Sequence, residues 1–155
     1  MSREGIEYRE GTVTQEEIRA HLEACDGNFS PRLSLKVDIE EYSKKISAKA
    51  QTFEAWSGDT LVGLVAAYLN DRGARRGFIT NVSVVKAFMG RGIASALFDR
   101  CLDRSRQEGM DAIALEVNME SREAIHFYEK FGFSELERKG ETVLMRLTIS
   151  EKRQS

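Results

Sequence analysis

Val84-Val-Lys-Ala-Phe-Met-Gly-Arg-Gly-Ile-Ala-Ser-Ala-Leu97 is the stretch on which the fold turns. Before it, Phe78-Ile-Thr-Asn-Val-Ser-Val-Val85 is an apolar, β-branched run that reads as a strand. After it, Ile93, Leu97 and Cys101 recur at helical spacing. A strand, a glycine turn and a helix start leave the first N–H groups of the helix without internal acceptors, pointing along its dipole at an anion. Gly90 and Gly92 allow the backbone to curl and approach a ligand, and Arg91 adds a positive charge. The stretch reads as a phosphate cradle. Alone, Gly-x-Gly after a strand is equally a tight turn with a packing glycine. The spacing also excludes a nucleotide P-loop and a Gly-x-Gly-x-x-Gly fingerprint, since no third glycine follows until Gly109.

A second stretch supplies what the first lacks: Leu115-Glu-Val-Asn-Met-Glu-Ser-Arg-Glu-Ala-Ile-His-Phe-Tyr-Glu-Lys-Phe-Gly-Phe133. Together the two resemble the GNAT superfamily of acetyl-CoA-dependent N-acetyltransferases. The pyrophosphate loop of that family, Gln/Arg-x-x-Gly-x-Gly/Ala, is similar to Met89-Gly-Arg-Gly-Ile-Ala94. Its later signature, Asn-x-x-Ala-x-x-x-Tyr-x-x-x-Gly-Phe, is similar to the run from Ser121 through Ala124, Tyr128 and Gly132 to Phe133. Three positions depart. Met89 replaces Gln or Arg and removes one side-chain contact to the pyrophosphate, Lys86 replaces a common proline, and Ser121 replaces a common Asn while keeping the ability to cap a helix.

The resemblance implies a site. Acetyl-CoA would be cosubstrate, its pantetheine arm pairing with the main chain of Val82, Ser83 and Val84 as an added strand does. Val84 N–H is a candidate oxyanion donor. Met89, Gly90, Arg91, Gly92, Ile93, Ala94 and Ser121 would complete the cofactor contacts. Tyr128 stands at the general-acid position that serves the departing sulfur, against the plainer reading of an amphipathic tyrosine with a buried ring. Glu116, twelve residues earlier, looks like the base of the ribosomal-protein N-terminal alanine acetyltransferases, against the plainer reading of an exposed strand carboxylate. Many relatives carry a Glu where Thr80 stands, so Glu116 or a water held by Asn81 is left to take the amine proton. Phe29, Arg32 and Tyr42 are candidate acceptor contacts by analogy, or else parts of a surface loop with one anchoring aromatic. His21 and His126 suggest no metal cluster, and Cys101 reads as a buried thiol.

The expected reaction is direct transfer to a primary amine in a ternary complex, without a covalent enzyme intermediate. A small-molecule acceptor comes first. A protein N-terminus or lysine is the alternative, encouraged by Leu115-Glu-Val117. A different class is a non-catalytic acyl-CoA-binding sensor, which Tyr128 with a usable base argues against.

Composition sets outer bounds. The chain has 155 residues, one proline and a net charge of −2, so a single domain over 1–149 with a polar, frayed tail over 150–155 is expected, and no nucleic-acid-coating face. Two isolated cysteines exclude a disulfide scaffold. No signal-like or membrane-length apolar run is present, which predicts a cytoplasmic protein that is a monomer or homodimer. Thr14-Gln-Glu-Glu17 and Asp38-Ile-Glu-Glu41 open two helices, with Ile18 and Leu22 inward on the first. Hairpins are expected around Ser57-Gly-Asp59 and Lys139-Gly140, and a solvated charged turn at Asp71, Arg72, Arg75 and Arg76. The predicted class is α/β, a GNAT-type mixed sheet flanked by helices in the order βααβββαβαββ.

Overall fold

In a computed structural model, residues 5–29, 31–71 and 73–149 are described. Arg72 and the polar tail over 150–155 lie outside them. The strands are β1 (Ile6–Glu10), β2 (Gln51–Ser57), β3 (Thr60–Tyr68), β4 (Arg76–Val84), β5 (Ala112–Asn118), β6 (Ser134–Lys139) and β7 (Thr142–Thr148). The helices are α1 (Gln15–Cys25), α2 (Ile39–Lys49), α3 (Ile93–Gln107) and α4 (Arg122–Lys130). The order is the one read from the sequence, with short 3-10 turns at Asp26–Asn28, Leu33–Leu35 and Lys86–Phe88 added.

One seven-stranded sheet runs β1-β2-β3-β4-β5-β7-β6. Every neighbouring pair is antiparallel except β4 and β5. That exception places the site. The two parallel strands pair only from Arg76 with Ala112 to Ile79 with Leu115. Beyond this point each keeps its outer partner, β3 or β7, but not the other. A bulge helps to part them: β4 pairs Ile79 with Ala67 and then Asn81 with Ala66, leaving Thr80 as the extra residue.

Each face of the sheet is covered by its own helices. On one, Ile18 and Leu22 of α1 and Ile46 of α2 pack with Leu33 on Leu64 and Ala66 of β3. The Thr14 capping box is complete, with Glu17 N–H donating to the Thr14 hydroxyl and Thr14 N–H to the Glu17 carboxylate. On the other face, α3 and α4 meet through Phe98, which contacts the rings of Phe127, Tyr128, Phe131 and Phe133 at 4.8–5.7 Å between centroids. A Cβ on Gly63 would lie 2.8 Å from Ile93 Cγ2, so this glycine lets the start of α3 press against β3.

Two expectations need correction. Ser121 occupies the N-cap of α4, but its ψ of 69° lies outside the extended capping range and its hydroxyl makes no capping bond. Arg75 does not belong to a merely solvated turn. Its guanidinium donates to Gly109 O (3.1 Å) and Asp111 (2.9 Å), tying the β3–β4 turn to the turn before β5.

Candidate active site

The parting of β4 and β5 opens a cavity of about 390 Å³. Its walls are Phe78–Val84 of β4 and its end, Leu115–Asn118 of β5, Ser121, Ala124 and Tyr128 from α4, and Asn28 to Tyr42 residues on the α1–α2 side. Strand alternation decides which backbone groups face it. Val85 N–H bonds Val62 O at 2.8 Å, so Val84 and Val82 turn their N–H groups the opposite way, into the gap. The same alternation assigns Ser83 N–H to β3. Of the three residues expected to supply main-chain contacts, Val82 and Val84 therefore can, whereas Ser83 contributes its side chain.

At one end the cavity reaches Met89, where the cradle begins. Gly90 and Gly92 have φ of 79° and 80°, left-handed values that L side chains rarely adopt. Gly92 is the N-cap of α3, and the first backbone bond into the helix is Ala96 N–H to Gly92 O. The N–H groups from Gly90 to Ser95 make no hydrogen bond to another described residue. This is the anion-ready geometry that the loop sequence predicts, with Ile93 and Ala94 in the first turn. Arg91 is folded back, its guanidinium 4.7 Å from the Phe88 ring centroid and donating to Ala87 O at 3.4 Å. To meet a phosphate it would swing off that ring.

Tyr128 and Glu116 both line the cavity and differ in setting. The Tyr128 ring is packed on Phe98 at 5.6 Å with 29° between planes, and the residue is 9% exposed. Burial pushes its phenol up to about 12, so it stays protonated at neutral pH. Glu116 is exposed, on the face of β5 opposite Leu115 and Val117 as alternation predicts. Among the described residues no side chain is bonded to its carboxylate.

On the acceptor side, Phe29, Tyr42 and Asn81 line the cavity as expected. Arg32 does not. It lies 3.5 Å from Asp26, is largely exposed, and faces away because Asp26 also binds the Ser34 N–H and hydroxyl and thereby closes that turn. Tyr42 acts on the bulge: its hydroxyl donates to Thr80 O at 2.6 Å and lies 2.8 Å from Thr80 Oγ1. Sequence reasoning passed over His21, which is 3% exposed and bonded to Ser83. The signal for its burial was present, because Ile18, His21, Leu22 and Cys25 share one face of α1. Among the described residues no group of three His, Cys, Asp or Glu side chains is placed to hold a metal ion. None of the described helices is long and apolar enough to cross a membrane.

A sequence profile of the acetyltransferase (GNAT) family matches residues 16–133. The chain belongs to the GNAT family. Among its relatives, N-alpha-acetyltransferase 30 of Schizosaccharomyces pombe is 34% identical over 89 residues, 56% of this chain and 59% of that protein. N-alpha-acetyltransferase MAK3 of Arabidopsis thaliana is 32% identical over 82 residues, 52% of this chain and 43% of its own length. The chain thus spans about half the length of the curated relatives it matches. The GNAT fold extends over nearly all of it: PaiA N-acetyltransferase of Thermoplasma acidophilum, solved in complex with coenzyme A, superposes with a TM-score of 0.74 at 16% identity, covering 96% of this chain and 99% of that one.

Proposed function

We propose that this GNAT chain is an N-acetyltransferase that moves an acetyl group from acetyl-CoA to a primary amine by direct attack. The observation that carries the reading is the β4–β5 gap, with N–H groups that bond no other described residue at its Gly90–Ser95 end, Val84 N–H along it, and Glu116 and Tyr128 on its walls. A pyrophosphate would sit on the Gly90–Ala94 amides at the start of α3. Glu116 takes the proton that makes the amine nucleophilic, and the amine nitrogen bonds to the thioester carbon. Val84 N–H stabilises the developing oxyanion. As the carbon–sulfur bond breaks, the Tyr128 phenol protonates the departing sulfur and is reprotonated by the second proton that the attacking nitrogen loses on becoming an amide, directly or through water. Cys25 and Cys101 take no part, since both are buried and burial raises their thiols to about 11 and about 12.

For the acceptor we favour the α-amine of a polypeptide N-terminus, supported by relatives named as N-alpha-acetyltransferases and by Glu116 in Leu115-Glu-Val117. A small primary amine is the second reading, supported by the walling of the cavity with Phe29, Leu33 and Val37. Thiol release from acetyl-CoA over short peptides and small amines tests both. Turnover on peptides with a free N-terminus, and none on N-terminally blocked ones, is the expected result. Acetyl-CoA binding without turnover on any amine would leave the sensor reading in its place.

A further inference from the structure

Behind the acceptor side of the cavity runs a buried line of polar side chains. His21 Nδ1 lies 3.1 Å from Leu61 O, and His21 Nε2 lies 2.9 Å from Ser83 Oγ. Ser83 Oγ is 2.8 Å from Asn81 Oδ1, and Asn81 lines the cavity. His21, Ser83 and Asn81 are 3%, 6% and 5% exposed, so water does not compete for these bonds.

Counting protons along the line fixes its direction. A carbonyl oxygen only accepts, so Nδ1 of His21 must carry hydrogen to meet Leu61 O. A neutral ring then has a bare lone pair at Nε2, and Ser83 donates its single proton there. The Cys25 thiol, 3.7 Å from the same nitrogen, is a weak second donor and fits this polarity. Having spent its proton, Ser83 Oγ can only accept from Asn81, so the proton count turns the amide end for end and puts its NH2 where Oδ1 stands beside the serine. The amide oxygen of Asn81 is thereby turned the other way. The opposite arrangement, Ser83 donating to Asn81, needs protons on both ring nitrogens, and burial holds His21 down at about 4 although the backbone of Leu61 and Ser83 favours the charged ring.

We propose that His21 is a positioning residue: it sets the polarity of the line through Ser83 so that Asn81 offers its carbonyl oxygen to the acceptor amine. In this role Asn81 accepts a hydrogen bond from the incoming amine and orients its lone pair toward the thioester carbon, while Glu116 takes the proton. The Tyr42 hydroxyl on the same wall is held by Thr80. The inference rests on the acetyl-transfer reading for its consequence, though the polarity of the line stands apart from it.

Two measurements separate these. Long-range proton–nitrogen correlation NMR of the nitrogen-labelled protein at pH 7, with His126→Gln to assign the two histidines, reads the tautomer directly. The Nδ1–H tautomer of His21 is expected, whereas the Nε2–H tautomer or an imidazolium overturns the proposal. Kinetically, His21→Leu should lower kcat by about tenfold to a hundredfold, the scale of a misplaced reacting group, with acetyl-CoA affinity unchanged. His21→Gln, able to donate to Leu61 O and accept from Ser83, should recover most of that loss. Equal losses in the two variants, or a fully active His21→Leu, would overturn the positioning role. Should His21→Leu fail to fold, Ser83→Ala reads the same line. A wild-type chain inactive on every amine would count against the proposed function, and the tautomer would still decide the polarity.

Discussion

Glu54 on β2 and Glu116 on β5 point to the same face of one sheet, yet their surroundings are opposite. Glu54 is fully buried and saturated. One of its oxygens accepts from Thr12 N–H at 2.9 Å, Val13 N–H at 3.3 Å and Thr52 Oγ1 at 2.6 Å, and the other from the Thr12 hydroxyl and from Trp56 Nε1–H at 3.1 Å. Burial alone would raise its pKa, but these donors outweigh it and hold the carboxyl below the usual glutamate value. Glu116 is exposed to the cavity with no bonded side chain among the described residues. A carboxylate whose lone pairs are all taken anchors a turn, here the one leading into α1. A carboxylate left with open lone pairs at a cavity wall is available to a proton.

The contrast is sharpest in turnover. Glu116→Gln should cost about 100-fold to 1,000-fold in kcat, in the range of a lost general base, while thermal stability and acetyl-CoA affinity stay near wild type. Tyr128→Phe should cost less, about tenfold to a hundredfold, because a hydrogen bond to sulfur is lost while the ring packing remains. Equal stability losses in the two variants would instead make Glu116 and Tyr128 structural.

Glu54→Gln should do the reverse. Every neighbour of its two oxygens is a donor, so an amide NH2 in either place meets N–H or O–H and one bond becomes a clash of donors. A loss of about 1–3 kcal/mol in urea unfolding is expected, with kcat per folded molecule retained. Loss of turnover without loss of stability would erase the distinction between the two carboxylates.

The smallest effect is in pH. Because the folded pKa of Glu54 is depressed, its contribution is complete above the unfolded value near 4.5 and is lost as pH falls through the folded value. Wild type should therefore destabilise more steeply below about pH 4.5 than Glu54→Gln does. Parallel unfolding curves in that window would show that the cage gives Glu54 no linkage.

The two carboxylates also mark how far the sequence could be read. Element order and the glycine turn were legible because each depends on residues close together in the chain, whereas Tyr128 and Glu116 were picked out by the resemblance to the family. Thr14 caps its helix by meeting Glu17 three residues on, Gly90 and Gly92 shape one turn, and alternation along β5 settles the side that Glu116 faces. The cage around Glu54 was not legible, since Thr12 reaches it across 42 residues. His21 meets Ser83 across 62 residues, and nothing in the period of α1 says what its imidazole will touch. Arg32 was misread because the Asp26–Ser34 turn, which pulls it aside, is a local hydrogen-bond choice without a periodic signature. The Thr80 bulge became visible only once the registers of β3 and β4 were known.

The most direct test of the central claim, that the β4–β5 gap holds acetyl-CoA between an acid and a base, is calorimetric titration of acetyl-CoA into wild type and Glu116→Gln, with thiol release measured on the same samples. The account predicts equal affinities and turnover in wild type alone. No binding by the wild-type chain, or full turnover by Glu116→Gln, would contradict it.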